Sequence, residues 1–204
     1  YTTLFRSYYI GEYTDFRFKP EKEGVIDLGD SFYAPQTFLN PEGRRIMIGW
    51  LPEAREEIEM MDAGWAGVQS VPRILTLKQG DLSSEPVPSV DKYVKRILNR
   101  RGLTLLPEKE LNIEEAGGRQ MDISVIFNPD KARKVGLKIR KSSDGREETV
   151  IGYDIASGRL FADREKSSLN NKADKSLQEG IAAFESPDKI DLRVLIDASV
   201  VEIF

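Results

Sequence analysis

Met121-Asp122-Ile123-Ser124-Val125-Ile126-Phe127-Asn128-Pro129-Asp130 decides the fold class. Met121, Ile123, Val125 and Phe127 recur at every second position, the period of a strand that buries one face. Asn128-Pro129-Asp130 then supplies the turn chemistry that ends it. The same reading applies to Ile46-Met47-Ile48-Gly49-Trp50, to residues 135–139 and to Leu192-Arg193-Val194-Leu195-Ile196. Asn40-Pro41-Glu42-Gly43, Ser142-Ser143-Asp144-Gly145 and Ala156-Ser157-Gly158 separate such runs at short spacing, so the chain is predicted to be all-β. Two stretches are predicted as short helices: residues 53–62, rich in Glu, Ala and Met, and residues 90–101, with Val90, Val94, Ile97 and Leu98 on one face.

Composition narrows the chemistry. The 204 residues are 40% hydrophobic and 31% charged, enough for one sizeable core or two small ones. Thirty Lys and Arg are scattered among 34 Asp and Glu for a net charge of −4, so no basic face is ready to collect phosphates and nucleic acid is not expected as a partner. No apolar run is long enough for a bilayer, so no membrane partner is expected. The chain opens on Tyr1-Thr2-Thr3 rather than on a basic and then apolar segment. Any targeting sequence is therefore expected outside these residues, and an extracellular and a cytoplasmic location both stay open. Cysteine and histidine are both absent. That excludes disulfides, thiol nucleophiles, zinc clusters and imidazole bases, and leaves carboxylates, Lys, Tyr and Ser. Paired carboxylates most often serve glycoside hydrolysis. Asp144-Gly145 and Asp154 lack the ligand spacing of a calcium loop, so a structural metal is not expected.

A domain boundary is expected in Ser83-Ser84-Glu85-Pro86-Val87-Pro88-Ser89, where two prolines withhold the backbone donors that a sheet needs. Residues 1–89 and 90–204 are read as separate domains, joined by the stretch after residue 90.

Several blocks carry a resemblance. Asp27-Leu28-Gly29-Asp30-Ser31-Phe32-Tyr33-Ala34 is followed by Gly43-Arg44-Arg45 and a strand ending in Gly49-Trp50. Then come Gly64-Trp65-Ala66-Gly67-Val68-Gln69-Ser70-Val71-Pro72-Arg73, Asp163-Arg164-Glu165-Lys166-Ser167, and the closing Asp197-Ala198-Ser199-Val200-Val201-Glu202-Ile203-Phe204. In this order the blocks resemble glycoside hydrolase family 32, the invertase, levanase and fructanase family.

The resemblance implies the end of a five-bladed β-propeller in residues 1–89, followed by a β-sandwich in residues 90–204, both incomplete. It further implies retaining cleavage of sucrose or a fructan, with an Asp nucleophile, a Glu acid/base and a second Asp that steadies the sugar, and no cofactor. Those three carboxylates lie in stretches of the types Asn-Asp-Pro, Arg-Asp-Pro and Glu-Cys, none of which occurs here; Asp15-Phe16-Arg17-Phe18 is no substitute. No catalytic residue is assigned to the chain. Open strand edges at a cut propeller and a cut sandwich are expected to favour self-association.

Four residues are candidates for substrate binding. Trp50 is either a core aromatic or, as the resemblance implies, a stacking platform for sugar C–H groups. Tyr33 either anchors a turn through its hydroxyl or reaches the site. Asp27 aligns with an aspartate that in plant-type members holds the glucosyl side of sucrose beside a lysine three residues on, where this chain has Asp30. The two carboxylates either grip vicinal hydroxyls or cap backbone N–H groups in a turn. Arg73 is read as a planar fork for a buried carboxylate or carbonyls, Asp163, Arg164 and Glu202 as ion-pair or turn residues, and residues 166–175 as a solvated loop. A non-catalytic fructan-binding module, a purely structural β protein and a related five-bladed arabinan enzyme are the alternatives.

Overall fold

A computed structural model describes residues 6–184, 186 and 188–204. Strand alternation prevails as expected. A hairpin leads, β1 (Ser7–Thr14) against β2 (Arg17–Val25), closed by Asp15 and Phe16, both at positive φ as a two-residue turn of this hand requires.

Next comes the sheet that carries the candidate residues. It is formed by β3 (Tyr33–Leu39), β4 (Arg45–Leu51), β6 (Arg73–Lys78) and β7 (Asp81–Pro86) in the antiparallel order β3-β4-β6-β7, the form of one propeller blade. The short β5 (Val68–Gln69) lies beside the end of β4. Two strands thus share one flank of β4, and the gap between them needs its own hydrogen bonds because Pro72 has no N–H to give. Ser70 fills it. Its backbone N–H donates to Gly49 O at 2.8 Å, and its buried hydroxyl accepts from Gly49 N at 3.0 Å.

Between β4 and β5 runs an excursion containing α1 (Glu57–Ala63). Its start is later than the sequence pattern suggested. Glu56 N donates to Glu59 Oε2 at 3.2 Å in a capping box, which sets the first turn there, and Gly64 in the left-handed conformation ends the helix.

Two further antiparallel sheets follow. One has the order β12-β11-β10-β9, from β9 (Lys134–Ile139), β10 (Thr149–Asp154), β11 (Arg159–Asp163) and β12 (Gln178–Ile181). Ile151 is wholly buried in it, and Asp154 closes the β10–β11 turn by accepting from the backbone of Ala156 and Ser157 at 3.1 and 3.2 Å. The other has the order β14-β13-β8, from β8 (Gln120–Phe127), β13 (Ile190–Asp197) and β14 (Val200–Ile203). Ile190, Leu192, Val194 and Ile196 form its buried stripe. On the opposite face Arg193 meets Asp122 in a two-point pair, Nε to Oδ1 at 3.0 Å and Nη2 to Oδ2 at 2.6 Å. Arg193 also reaches Asp91 at 2.6 Å, and these carboxylates push its guanidinium above its ordinary pKa.

The expected helix at residues 90–101 does not form. Only a 3₁₀ turn, Pro88–Tyr93, appears, and no helix or strand follows until β8. Its apolar stripe has no surface to cover: Ile97 is 81% exposed, and a helix this short needs tertiary packing to persist. By contact the described residues fall into two compact units, one taking residues up to Val87 with Lys134–Ala183, the other Pro88–Arg133 with Phe184–Phe204. Among the described residues no helix is long and apolar enough to cross a membrane.

Ser70→Ala leaves the buried Gly49 N–H without its acceptor. Such a loss costs about 1–3 kcal/mol, so the urea midpoint is expected to fall with the slope unchanged, whereas an unmoved midpoint would mean that water replaces the hydroxyl.

Candidate functional site

The site begins beneath the sheet, with a stack of four residues. Phe32 is 1% exposed, and its ring lies against Gly49, where a Cβ would stand 2.5 Å from the ring carbons. Only glycine leaves room for it. The Arg73 guanidinium covers Phe32 at 4.4 Å from the ring centroid and donates from Nη1 to Asp27 Oδ2 at 2.6 Å. Asp27 Oδ1 in turn accepts from Gly29 N at 2.8 Å. Arg73 thus meets a carboxylate as anticipated from its chemistry, but through Nη1 alone rather than as a two-point fork, and Asp27 is that carboxylate.

Successive side chains of a strand point to opposite faces. Seating Gly49 of β4 against Phe32 therefore turns its neighbour Trp50 to the other face, where Tyr33, the first residue of β3, is its partner in the register. Their rings meet edge to face, centroids 6.0 Å apart and planes at 78°. Immediately after Tyr33 the register shifts, with Ala34 at φ 45°, a bulge of the kind that re-aims a side chain. Trp50 is 45% exposed, as a residue with one face in solvent should be.

The far side of the Trp50 indole is held by residues that sequence reasoning did not single out. Gly67, at φ 68°, lies so close to the indole Nε1 that a Cβ there would collide with it. Gly67 N donates to Glu53 Oε1 at 3.0 Å. Glu53 receives Arg55 at both oxygens, Nε at 2.6 Å and Nη2 at 2.7 Å, and the Arg55 guanidinium lies 4.4 Å from the Trp65 ring centroid. The Arg55 hydrogen bond holds the Glu53 carboxyl below its usual value, against the opposing effect of burial and with help from Gly67 N–H. Trp65 is 46% exposed and edges an open groove shared with Glu57, Met60, Met61, Gly64 and Ala66. No sequence periodicity signals Glu53 or Arg55.

The structure therefore brings Tyr33 and Trp50 together and directs the two candidate aspartates elsewhere. Asp27 faces Arg73. Asp30 faces β12 and the loop before it: its N–H donates to Gln178 Oε1 at 2.9 Å, its Oδ2 accepts from Gln178 Nε2 at 2.8 Å, and Arg164 Nη2 lies 3.6 Å away. Arg164 also pairs with Asp174 at 3.3 Å, and Asp163 Oδ1 accepts from Glu165 N at 3.0 Å, the ion-pair and turn roles read from their block.

A family model described as the N-terminal domain of glycosyl hydrolases family 32 matches residues 2–86, and one described as the C-terminal part of the same family matches residues 91–204. The chain belongs to glycosyl hydrolase family 32. Among curated family 32 relatives, sucrose-6-phosphate hydrolase of Staphylococcus xylosus is 29% identical over 184 residues, covering 88% of this chain and 35% of the relative. Levanase of Bacillus subtilis is 28% identical over 215 residues, covering 97% of this chain and 31% of the relative. Among solved structures, fructan 1-exohydrolase IIa from Cichorium intybus superposes with a TM-score of 0.86 at 23% identity, covering 96% of this chain and 46% of that one. The fold is the propeller-plus-sandwich architecture of family 32, and the chain spans about a third of the length of these curated relatives.

Trp50 is already 45% exposed, so Trp50→Ala is expected to lower the unfolding free energy by less than about 1.5 kcal/mol, against roughly 3–5 kcal/mol for a buried tryptophan. Urea unfolding checks this, and a loss in the higher range would make Trp50 a core residue.

Proposed function

We propose that this chain is part of a retaining β-fructofuranosidase-type hydrolase acting on sucrose or fructans, with the catalytic carboxylates on segments outside it. Residues 1–89 then contribute the last propeller blades, and residues 90–204 the β-sandwich. The match of one family model to residues 2–86 and of the other to residues 91–204 supports that division.

One observation carries the functional reading: Trp50 is 45% exposed while Tyr33 meets it edge to face and Gly67 lies against its indole Nε1. A sugar ring offers polarised C–H groups on one side, and an aromatic face held in place receives them with little ordering cost. The names of the relatives, a sucrose-6-phosphate hydrolase and a levanase, suit a fructoside at such a platform, as does the match to the Cichorium exohydrolase solved in complex with 1-kestose.

The nearby carboxylates suit support rather than chemistry. Retaining hydrolysis needs a nucleophile and an acid about 5–5.5 Å apart, with the acid's pKa raised. Asp27 is committed to Arg73, Asp30 to Gln178 and Arg164, and Glu53 to Arg55, the last with its pKa displaced in the wrong direction for an acid. A fructan-binding module without catalysis is the second reading, favoured by the exposed faces of Trp50 and Trp65.

Fructose release separates the two. The whole protein to which this chain belongs is expected to liberate fructose from sucrose, inulin or levan, and the purified 204-residue chain is expected to liberate none, because well over 8 kcal/mol of barrier lowering cannot come from positioning residues alone. Failure of the whole protein on all three substrates would remove the hydrolase assignment. Turnover by the chain alone, abolished by substituting one of its own carboxylates, would overturn the placement of the catalytic groups.

A further inference from the structure

α1 buries none of its residues, so apolar packing does not hold it in place. Yet the excursion that contains it carries Glu53, Arg55, Trp65 and Gly67, which brace the Trp50 face. Polar anchors must fix that excursion, and they come from the segment between β11 and β12, whose Lys and Asn content had suggested a solvated loop.

That segment is tightly wound. Ser168 Oγ accepts from Asn170 N at 3.1 Å, Asn170 Oδ1 from Lys172 N at 2.9 Å, and Asp174 Oδ1 from Ser176 N at 2.9 Å. Lys175 Nζ donates to Ser168 O at 3.0 Å, and Arg164 donates to Ser176 O at 2.9 Å and to Ser176 Oγ at 2.8 Å. Held in this form, it meets the excursion at three successive points. Lys172 Nζ donates to Glu56 Oε2 at 2.8 Å, Asn170 Nδ2 to Glu59 Oε1 at 2.5 Å, and Asp174 N to Ala54 O at 3.2 Å. Glu56 and Glu59 are the two halves of the α1 capping box. Ala54 lies between Glu53 and Arg55, the pair that holds Gly67 N and stacks on Trp65.

We infer that the loop of residues 164–176 is a positioning device for the Trp50–Trp65 face, with Asn170 and Lys172 as its positioning residues. They act through Glu56 and Glu59 on the start of α1, and through Glu53 and Arg55 on Trp65 and Gly67. The Lys172–Glu56 pair is largely solvent-exposed, and exposed pairs add little to global stability, so the effect of these contacts is to choose where the excursion lies. The inference deepens the reading of Trp50 as a sugar platform, and its test does not require sugar.

The chain has two tryptophans, so its indole N–H resonances in a two-dimensional ¹H–¹⁵N spectrum report on Trp50 and Trp65 alone. In Asn170→Ala/Lys172→Glu the Trp65 resonance is expected to shift and broaden, and the Trp50 resonance to shift, while the urea midpoint stays near that of the parent chain. Lys172→Arg, which keeps the cation and leaves the Glu56 carboxylate in its capping role, is expected to hold both resonances near their original positions. Unmoved indole resonances in the disrupted chain, or resonances in Lys172→Arg displaced as far as in the disrupted chain, would overturn the inference. Should the double substitution prevent folding, Lys172→Ala and Asn170→Ala taken singly are judged by the same criterion. Titration of the unsubstituted chain with 1-kestose forms a separate arm: if the indoles do not respond, the sugar-platform reading fails, while the positioning role stands or falls on the substituted chains.

Discussion

A partly buried ion pair, the buried Arg73 with Asp27, governs the geometry of this chain's candidate site. Taking a guanidinium and a carboxylate out of water is costly unless they meet at close range with their remaining hydrogen bonds satisfied. Here they meet at 2.6 Å, Gly29 N–H occupies the second carboxylate oxygen, and the guanidinium covers Phe32 at 4.4 Å, although the buried Arg73 Nε has no hydrogen-bond acceptor. The pair locks the loop before β3 onto β6, with Phe32 clamped between Arg73 and Gly49. Because side chains alternate along a strand, the inward seat of Gly49 against Phe32 obliges Trp50 to face the other way, beside its register partner Tyr33. The exposed tryptophan follows from the buried charge beneath it.

The outer half of the site rests on different physics. Residues 52–67 leave the sheet, form a short helix that buries nothing, and return at β5. Their shape comes from charge-assisted hydrogen bonds: Glu53 with Arg55, and the capping glutamates with Asn170 and Lys172. Contacts of this kind specify geometry more than they add stability. The aromatic pair thus sits between the Arg73–Asp27 pair on one side and a segment held by polar contacts on the other.

Much of this was legible in the sequence, for identifiable reasons. The alternation in β8, β9 and β13 is strong because each buries one face more than the other, whereas β4 buries the adjacent Ile46 and Met47 on both, and the turns at residues 40–43 and 156–158 carry residues that close tight connections. The helix expected at residues 90–101 failed because its apolar stripe reports only a capacity to pack, and nothing covers Ile97. Trp50 was singled out, but whether it faced core or solvent depended on Phe32 filling the space over Gly49. Asp27 was ambiguous for a similar reason: a turn carboxylate and a sugar ligand look alike until Arg73, 46 residues away, is seen to close on it. The loop of residues 166–175 concealed its role most completely. Lys, Asn, Asp and Ser are what a solvated loop uses, and they are equally what a polar clamp uses.

The most direct measurement is a double-mutant cycle on Asp27 and Arg73, read by urea unfolding. Asp27→Ala strands a buried guanidinium and is expected to cost about 3–5 kcal/mol, while Asp27→Ala with Arg73→Met, which removes both charges, is expected to cost clearly less than the sum of the two single changes. Asp27→Ala that leaves the unfolding free energy within about 0.5 kcal/mol of the parent chain, the range of a surface substitution, yet abolishes the response of the indoles to 1-kestose would contradict this account. Asp27 would then be a sugar ligand, and the ion pair would not be what shapes the site.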